Sequence, residues 1–137
     1  MRWISAAAAT ALLAVPSLAL AHHSIAAAYD RDKAVSFSGR IVRVELVNPH
    51  SQIEVEFARP NGPPERWRLE TSSPGGLARL GLDKDTLVIG DPVKVIGYPS
   101  RSAEREAWLT KLETPKRSFD ISFRNRTNPA PTPEALN

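Results

Sequence analysis

Between residues 50 and 71 apolar and polar side chains alternate in two stretches, separated by a turn-forming segment. Ile53, Val55 and Phe57 fall on one side of the first stretch, against Gln52, Glu54 and Glu56 on the other. Trp67 and Leu69 oppose Arg66, Arg68 and Glu70 in the second. A period of two puts one face into a core and the other into water, so both stretches read as half-buried strands and not as helix. Pro60-Asn61-Gly62-Pro63 supplies the hairpin turn. The expected strands cover residues 50–57 and 65–71.

The flanking chain extends the same pattern. Residues 35–47 read as a long first strand, with Val35, Phe37, Gly39 and Ile41 on one parity and Val42, Val44 and Leu46 on the other. A change of parity beside a glycine marks a bulge or bend. Asn48-Pro49 then turns the chain. Ser73 as N-cap and Pro74 as first helical residue open a short helix, Leu77 and Leu80 give it an apolar face, and Gly81 ends it. Gly90-Asp91-Pro92 leads into a strand over 93–98; a fifth follows over 107–113, and Phe119, Ile121 and Phe123 add a short edge strand. The expected fold is mainly all-β: a small five-stranded Greek-key barrel of the OB type, with one short helix between strands 3 and 4. A small open sandwich is the structural rival.

The ends of the chain differ from this middle. Residues 1–21 read as an export signal, with Arg2 as its positive start, an alanine-rich apolar stretch from Ile4 to Val15, and small residues before a cleavage point. The apolar stretch is too short for a good membrane span, so no transmembrane segment is expected after cleavage. Ala19-Leu20-Ala21 would release a chain starting at His22, and Ser17-Leu18-Ala19 one starting at Leu20; the first fits better, because polar His22-His23-Ser24 follows at once. The expected organisation is signal 1–21, N-terminal arm 22–34, barrel 35–124 and a disordered proline-rich tail 125–137. The destination is the periplasm or the medium.

Several functions are excluded by composition. The chain contains no cysteine, and its one methionine is Met1, so disulfides, thiolate catalysis and sulfur ligation of metals are ruled out. Without Arg2 seventeen basic side chains face fifteen acidic ones, a net charge of +2, too small to imply nucleic acid. There is no nucleophile elbow, phosphate-binding glycine loop or His-Glu-x-x-His helix, and no enzymatic activity is expected.

What remains is nitrogen chemistry. The three histidines are His22, His23 and His50, and two of them adjoin the expected new N-terminus. A chain beginning at His22 offers its α-amine and imidazole to one cation, and His23 or His50 could complete a planar nitrogen set suited to copper(II) or nickel(II). A chain beginning Leu20-Ala21-His22 offers an amine, two amide nitrogens and a third-position imidazole to the same ions. The bland alternatives are a solvated, frayed arm for His22 and His23 and a turn histidine bonded near Asn48 for His50. No carboxylate stands at a spacing that marks it as a partner of these rings. Arg66-Trp67-Arg68 could stack a ring and bind a phosphate, but parity assigns Trp67 to the core and pairs the arginines with Glu54, Glu56 or Glu70. Lys116, Arg117, Arg124 and Arg126 form a sparse basic cluster that reads as solvated surface.

Ala21-His22-His23-Ser24, Gly39, Asn48-Pro49-His50, Trp67, Ser73-Pro74 with Leu77-Ala78-Arg79-x-Gly81, and Gly90-Asp91-x-Val93 together resemble a family of small secreted bacterial proteins known as a domain of unknown function. Leu82 departs from the tryptophan expected after Gly81. The resemblance spans residues 21–98 and implies export and a small barrel, with His22, His23 and His50 all at motif positions. The leading expectation is therefore an exported binding protein with a copper(II) or similar divalent-metal site at these three histidines. A metal-free adaptor for another envelope protein is the alternative, and a copper enzyme built on a His22 brace is the third reading.

Overall fold

A computed structural model describes residues 24–122 and 130–137; the expected signal, His22, His23, Phe123, Arg124 and Arg126 lie outside the described residues. The elements are α1 (Ile25–Ala28), β1 (Val35–Glu45), β2 (Gln52–Phe57), β3 (Glu65–Glu70), α2 (Pro74–Arg79), β4 (Pro92–Pro99), β5 (Glu106–Glu113), β6 (Ser118–Asp120) and β7 (Glu134–Ala135). β1 pairs antiparallel with both β2 and β4, β2 with β3, and β4 with β5, while β3 and β5 run parallel. The ring closes into a five-stranded mixed barrel with a short helix between β3 and β4. Closure by the β3–β5 pairing rules out the open sandwich.

The alternation seen in the sequence becomes the wall of the barrel. Ile53, Val55, Phe57, Trp67 and Leu69 are buried in one core with Phe37, Ile41, Val93, Val95, Leu109 and Leu112. Phe37 packs between Phe57 and Trp67, with ring centroids 5.1 and 5.3 Å away. Along β1 the parity changes by a register shift between Ile41 and Arg43, just beyond Gly39. Gly39 is needed for a different reason: a Cβ there would press on the Glu56 carbonyl oxygen and stand 2.9 Å from Val55 Cγ1. The missing side chain lets β1 swing from β4 onto β2.

α2 begins as expected, its Ser73 Oγ accepting a hydrogen bond from the Gly76 N–H at 3.3 Å, and Gly81 follows at φ 80°. Its apolar face differs from expectation. The helix ends at Arg79, so Leu80 is turned into solvent and Leu82 joins the core with Leu77. Leu82 thus fills the interior instead of offering a surface ring.

The end of the chain departs furthest from the sequence reading. Residues 134–137 are not a disordered tail: β7 lies parallel to the first residues of β1. Glu134 and Leu136 donate backbone N–H groups to the Ala34 and Ser36 carbonyls, at 2.8 and 2.9 Å. The Asn137 side chain continues the ladder, accepting from the Ser38 N–H at 3.0 Å and donating to its carbonyl at 2.7 Å. Leu136 packs against the core. The barrel leaves this edge open because β1 reaches β2 only from Arg40 onward. No helix among the described residues is long and apolar enough to cross a membrane.

Candidate functional site

The N-terminal arm is bound to the outside of the barrel. α1 is a single turn, closed by the Ala27 N–H donating to the Ser24 carbonyl at 2.8 Å. Such a short turn does not persist alone in water. It is held by strand-like contacts to the end of β4: Tyr29 bridges to Ser100, Asp30 N–H donates to the Pro99 carbonyl, and Arg101 N–H donates to the Ala28 carbonyl, the last two at 2.9 Å. Arg101 also pairs with Asp30 at 3.3 Å. Ile25 and Ala28 pack on Tyr29, Ala34, Tyr98 and Trp108, a second small core on the outer face of β4 and β5. Trp108 is buried there although its strand neighbours Ala107 and Leu109 point into the barrel. This explains why β5 has little surface on either face.

Three strands and the arm converge beside Trp108. His50 lies in the connection before β2, Glu70 at the end of β3, and Glu106 at the start of β5. The β3–β5 register sets Glu70 opposite Trp108 and Arg68 opposite Glu106. Glu70 Oε1 meets His50 Nδ1, and Glu70 Oε2 accepts a hydrogen bond from the Tyr29 hydroxyl. Glu106 Oε1 lies 3.2 Å from the same hydroxyl, while Glu106 Oε2 is held by Arg68 at 2.7 Å. The edge of the His50 ring meets Trp108, with centroids 5.1 Å apart and planes at 83°. Tyr29 packs on Trp108 from the arm side at 5.8 Å.

The electrostatics follow from this crowding. Burial first, then the Glu70 and Glu106 carboxylates, push the Tyr29 hydroxyl far above the ordinary phenol range. Tyr29 is a neutral donor throughout the physiological range. Glu70 has no lysine or arginine salt bridge among the described residues, so Tyr29 and His50 are what meet its oxygens. With Nδ1 turned to Glu70, Nε2 is the ring nitrogen left over. Nε2 makes no hydrogen bond among the described residues. The His50 side chain is 37% exposed.

Beneath this layer, with opposite parity, Ser51 and Thr71 are fully buried, and their hydroxyls find no partner among the described residues. Their backbones are joined by the Thr71 N–H donating to the Ser51 carbonyl at 2.9 Å.

Of the sequence candidates, His50 is therefore placed in a polar cluster, bonded not near Asn48 but to a carboxylate twenty residues away. His22 and His23 lie outside the described residues, immediately before Ser24 of the arm. Among the described residues no three His, Asp or Glu side chains gather closely enough to hold a metal ion. The carboxylate partner that no spacing in the sequence marks is Glu70, on His50. Arg66 pairs with Glu56 at 3.1 Å and Glu54 at 3.6 Å, as parity suggests, but Arg68 takes Glu106 because Glu70 is engaged elsewhere. Trp67 is core, with its Nε1–H donating to Glu65 at 2.7 Å. Sequence reasoning missed Tyr29, Glu106 and Trp108. The one signal for them was a polar residue, Glu70, at the end of an alternating strand that also carries two arginines.

No curated protein matches the chain significantly. The sequence model of DUF6152, a family of unknown function, matches residues 9–109 and so spans His22, His23, Tyr29, His50, Glu70 and Glu106. The chain belongs to this family.

Proposed function

We propose that this chain is an exported, non-enzymatic binding protein that holds copper(II) or a similar divalent metal through His50 Nε2 and the N-terminal histidines His22 and His23. The observation that carries the reading is the bond between Glu70 and His50 Nδ1. Histidines that ligate metals almost always give their other ring nitrogen to a carboxylate or carbonyl, which fixes the tautomer and raises the basicity of the ligating nitrogen. His50 has that arrangement, with its second nitrogen directed away from the bond and its ring reachable from solvent.

The position of the arm supports the remaining ligands. Ile25 belongs to the cluster that contains Trp108, and Trp108 touches His50. His23 is two residues before Ile25, a Cα separation of at most about 7 Å. A carboxylate partner and nitrogen donors without sulfur favour copper(II) or nickel(II) over soft-metal chemistry. When bound, the metal would add a Lewis-acidic charge at His50; the chain's own part is to orient the ring and bring the arm beside it.

Native mass spectrometry of the chain recovered from the periplasm tests this, before and after one equivalent of copper(II). The expected result is a chain beginning at His22 that retains one copper, with His50→Ala weakening retention at least tenfold while the barrel stays folded. A correctly cut chain that remains metal-free overturns the reading and leaves the envelope adaptor.

A further inference from the structure

We propose that the cavity between the α2–β4 connection and the β5–β6 turn binds a small zwitterion, its anionic group at Lys116 and Arg117 and its cationic group at Asp85 and Asp91. The cavity holds about 330 Å³, within the range of small-molecule sites, and shares no residue with the His50 cluster. Its charges set it apart from the rest of the barrel. On the strands opposite charges close into direct pairs: Arg66 on Glu56, Arg68 on Glu106, Lys111 on Glu113. In the cavity they do not. Among the described residues Lys116, Arg117 and Asp91 make no salt bridge, and Asp85 meets only its exposed neighbour Lys84, at 3.9 Å. A lone anion would leave the carboxylates facing it, and a lone cation the basic groups. A zwitterion satisfies both walls, while Val88 and Phe119 give its stem apolar contact.

Both walls are hydrogen-bonded in place, which lowers the cost of ordering them around a ligand. Asp83 Oδ1 accepts from the Asp85 and Thr86 N–H groups at 3.0 and 3.1 Å, and the Thr86 hydroxyl donates to the Gly81 carbonyl at 3.2 Å. Thr114 closes the opposite turn. Its N–H donates to the Arg117 carbonyl at 2.8 Å, and its hydroxyl oxygen accepts from the Arg117 N–H at 3.1 Å. The Arg117 guanidinium lies over the Phe119 ring, 4.9 Å from its centroid, with one nitrogen 3.5 Å from the Leu80 carbonyl. Gly81 makes room for it, because a Cβ there would stand 3.1 Å from Arg117 Nη1. Most of the guanidinium donors are thereby left to a ligand, and arginine held in this way can take a carboxylate in two parallel bonds.

Titration of the full chain, followed by the NMR shifts of its backbone amides, tests the site. The probes are 4-aminobutyrate, 5-aminopentanoate and 6-aminohexanoate, which vary the span between the charges, with hexanoate and hexylamine as single-charge controls. At least one of the zwitterions is expected to shift amides on both walls, in residues 85–91 and 114–119, and to bind at least about tenfold more tightly than either control. Arg117→Gln should reduce its affinity to that of hexylamine, and Asp91→Asn to that of hexanoate, with the amide shifts of the barrel strands unchanged. Hexanoate or hexylamine binding as tightly as the best zwitterion overturns the proposal, whether or not either variant folds. So does an Arg117→Gln protein that keeps full affinity, or a wild type in which no zwitterion moves these amides at about 10 mM.

Discussion

Gly39→Ala is expected to destabilise the barrel by about 2 kcal/mol, although it adds a single methyl group. A Cβ at this position would press on the Glu56 carbonyl oxygen, stand 2.9 Å from Val55 Cγ1 and 3.0 Å from the Glu56 carbonyl carbon. Two of these three atoms are backbone of the neighbouring strand and cannot rotate away. Relief requires β1 and β2 to separate by several tenths of an ångström at the place where β1 passes from one partner to the other. Forcing an extra methylene-sized group into a packed site costs about 1–3 kcal/mol, and a backbone obstacle belongs at the upper end. Alanine recovers about 0.4–1 kcal/mol by stiffening the unfolded chain. The difference is about 2 kcal/mol, a fall of roughly 8 °C in Tm for a domain of this size. Urea unfolding followed by the fluorescence of Trp67 and Trp108 measures it, and the midpoint should drop by about 1–2 M with the slope unchanged. Gly75→Ala is the control: the new Cβ meets nothing within 4 Å and lies inside α2, so the substitution should be neutral or stabilising by up to about 1 kcal/mol. A Gly39→Ala protein as stable as wild type, or a Gly75→Ala protein that loses as much, would refute the close-approach argument.

Two further outcomes follow from the arm and the tail. The Tyr29 hydroxyl is held above its ordinary value of about 10, so the unfolded chain releases this proton first and stability is lost as pH rises beyond that value. The urea midpoint of the wild type should therefore fall more steeply between about pH 9 and pH 11 than that of Tyr29→Phe, and parallel curves would contradict the assigned burial of the hydroxyl. Leu136→Asp should release residues 134–137 from β1 and expose the Ser38 amide to exchange, while global stability changes by about 1 kcal/mol or less, because the ordering of four residues offsets their few contacts. A Ser38 amide that stays protected, or a barrel that unfolds with the tail, would show that β7 is not a separable strap.

The elements that sequence reasoning located best are those whose signal is local. β2 and β3 were legible because Ile53, Val55, Phe57, Trp67 and Leu69 alternate within a few residues of their turn, and the start of α2 because Ser73 caps the Gly76 N–H three residues on. The parity change in β1 was legible too, but the reason for Gly39 was not, since the carbonyl it must avoid belongs to Glu56 on another strand. The candidate site was legible only at His50. Tyr29 bonds a residue 41 positions away, and Glu106 one 38 positions away. The second pair arises from the closing β3–β5 register and the first from the docking of the arm, and neither leaves a periodicity in its partners. β7 was misread for a related reason: proline-rich flanks hide a strand held by two backbone bonds and one asparagine side chain.

The location of the site within the barrel also determines what could complete it. β3 and β5 meet as parallel neighbours, and each presents a carboxylate on the outer face at the seam, Glu70 and Glu106. Arg68 neutralises one of them, leaving Glu70 as the carboxylate that needs a donor from beyond the strands. The arm supplies Tyr29 and the β1–β2 connection supplies His50, so the outer face of the seam is closed by pieces that are not barrel wall. A ring held in this way offers one nitrogen, and a single imidazole is too weak a ligand to retain a divalent ion against water and competing chelators. Strand residues cannot supply the others, because the neighbouring outward positions carry arginines and already paired glutamates. In the proposed reading the remaining donors come from His22 and His23, the residues that precede Ser24 in the sequence. On that reading, cleavage after Ala21 would free the α-amine of His22, two residues before Ser24, so that export itself would complete the site.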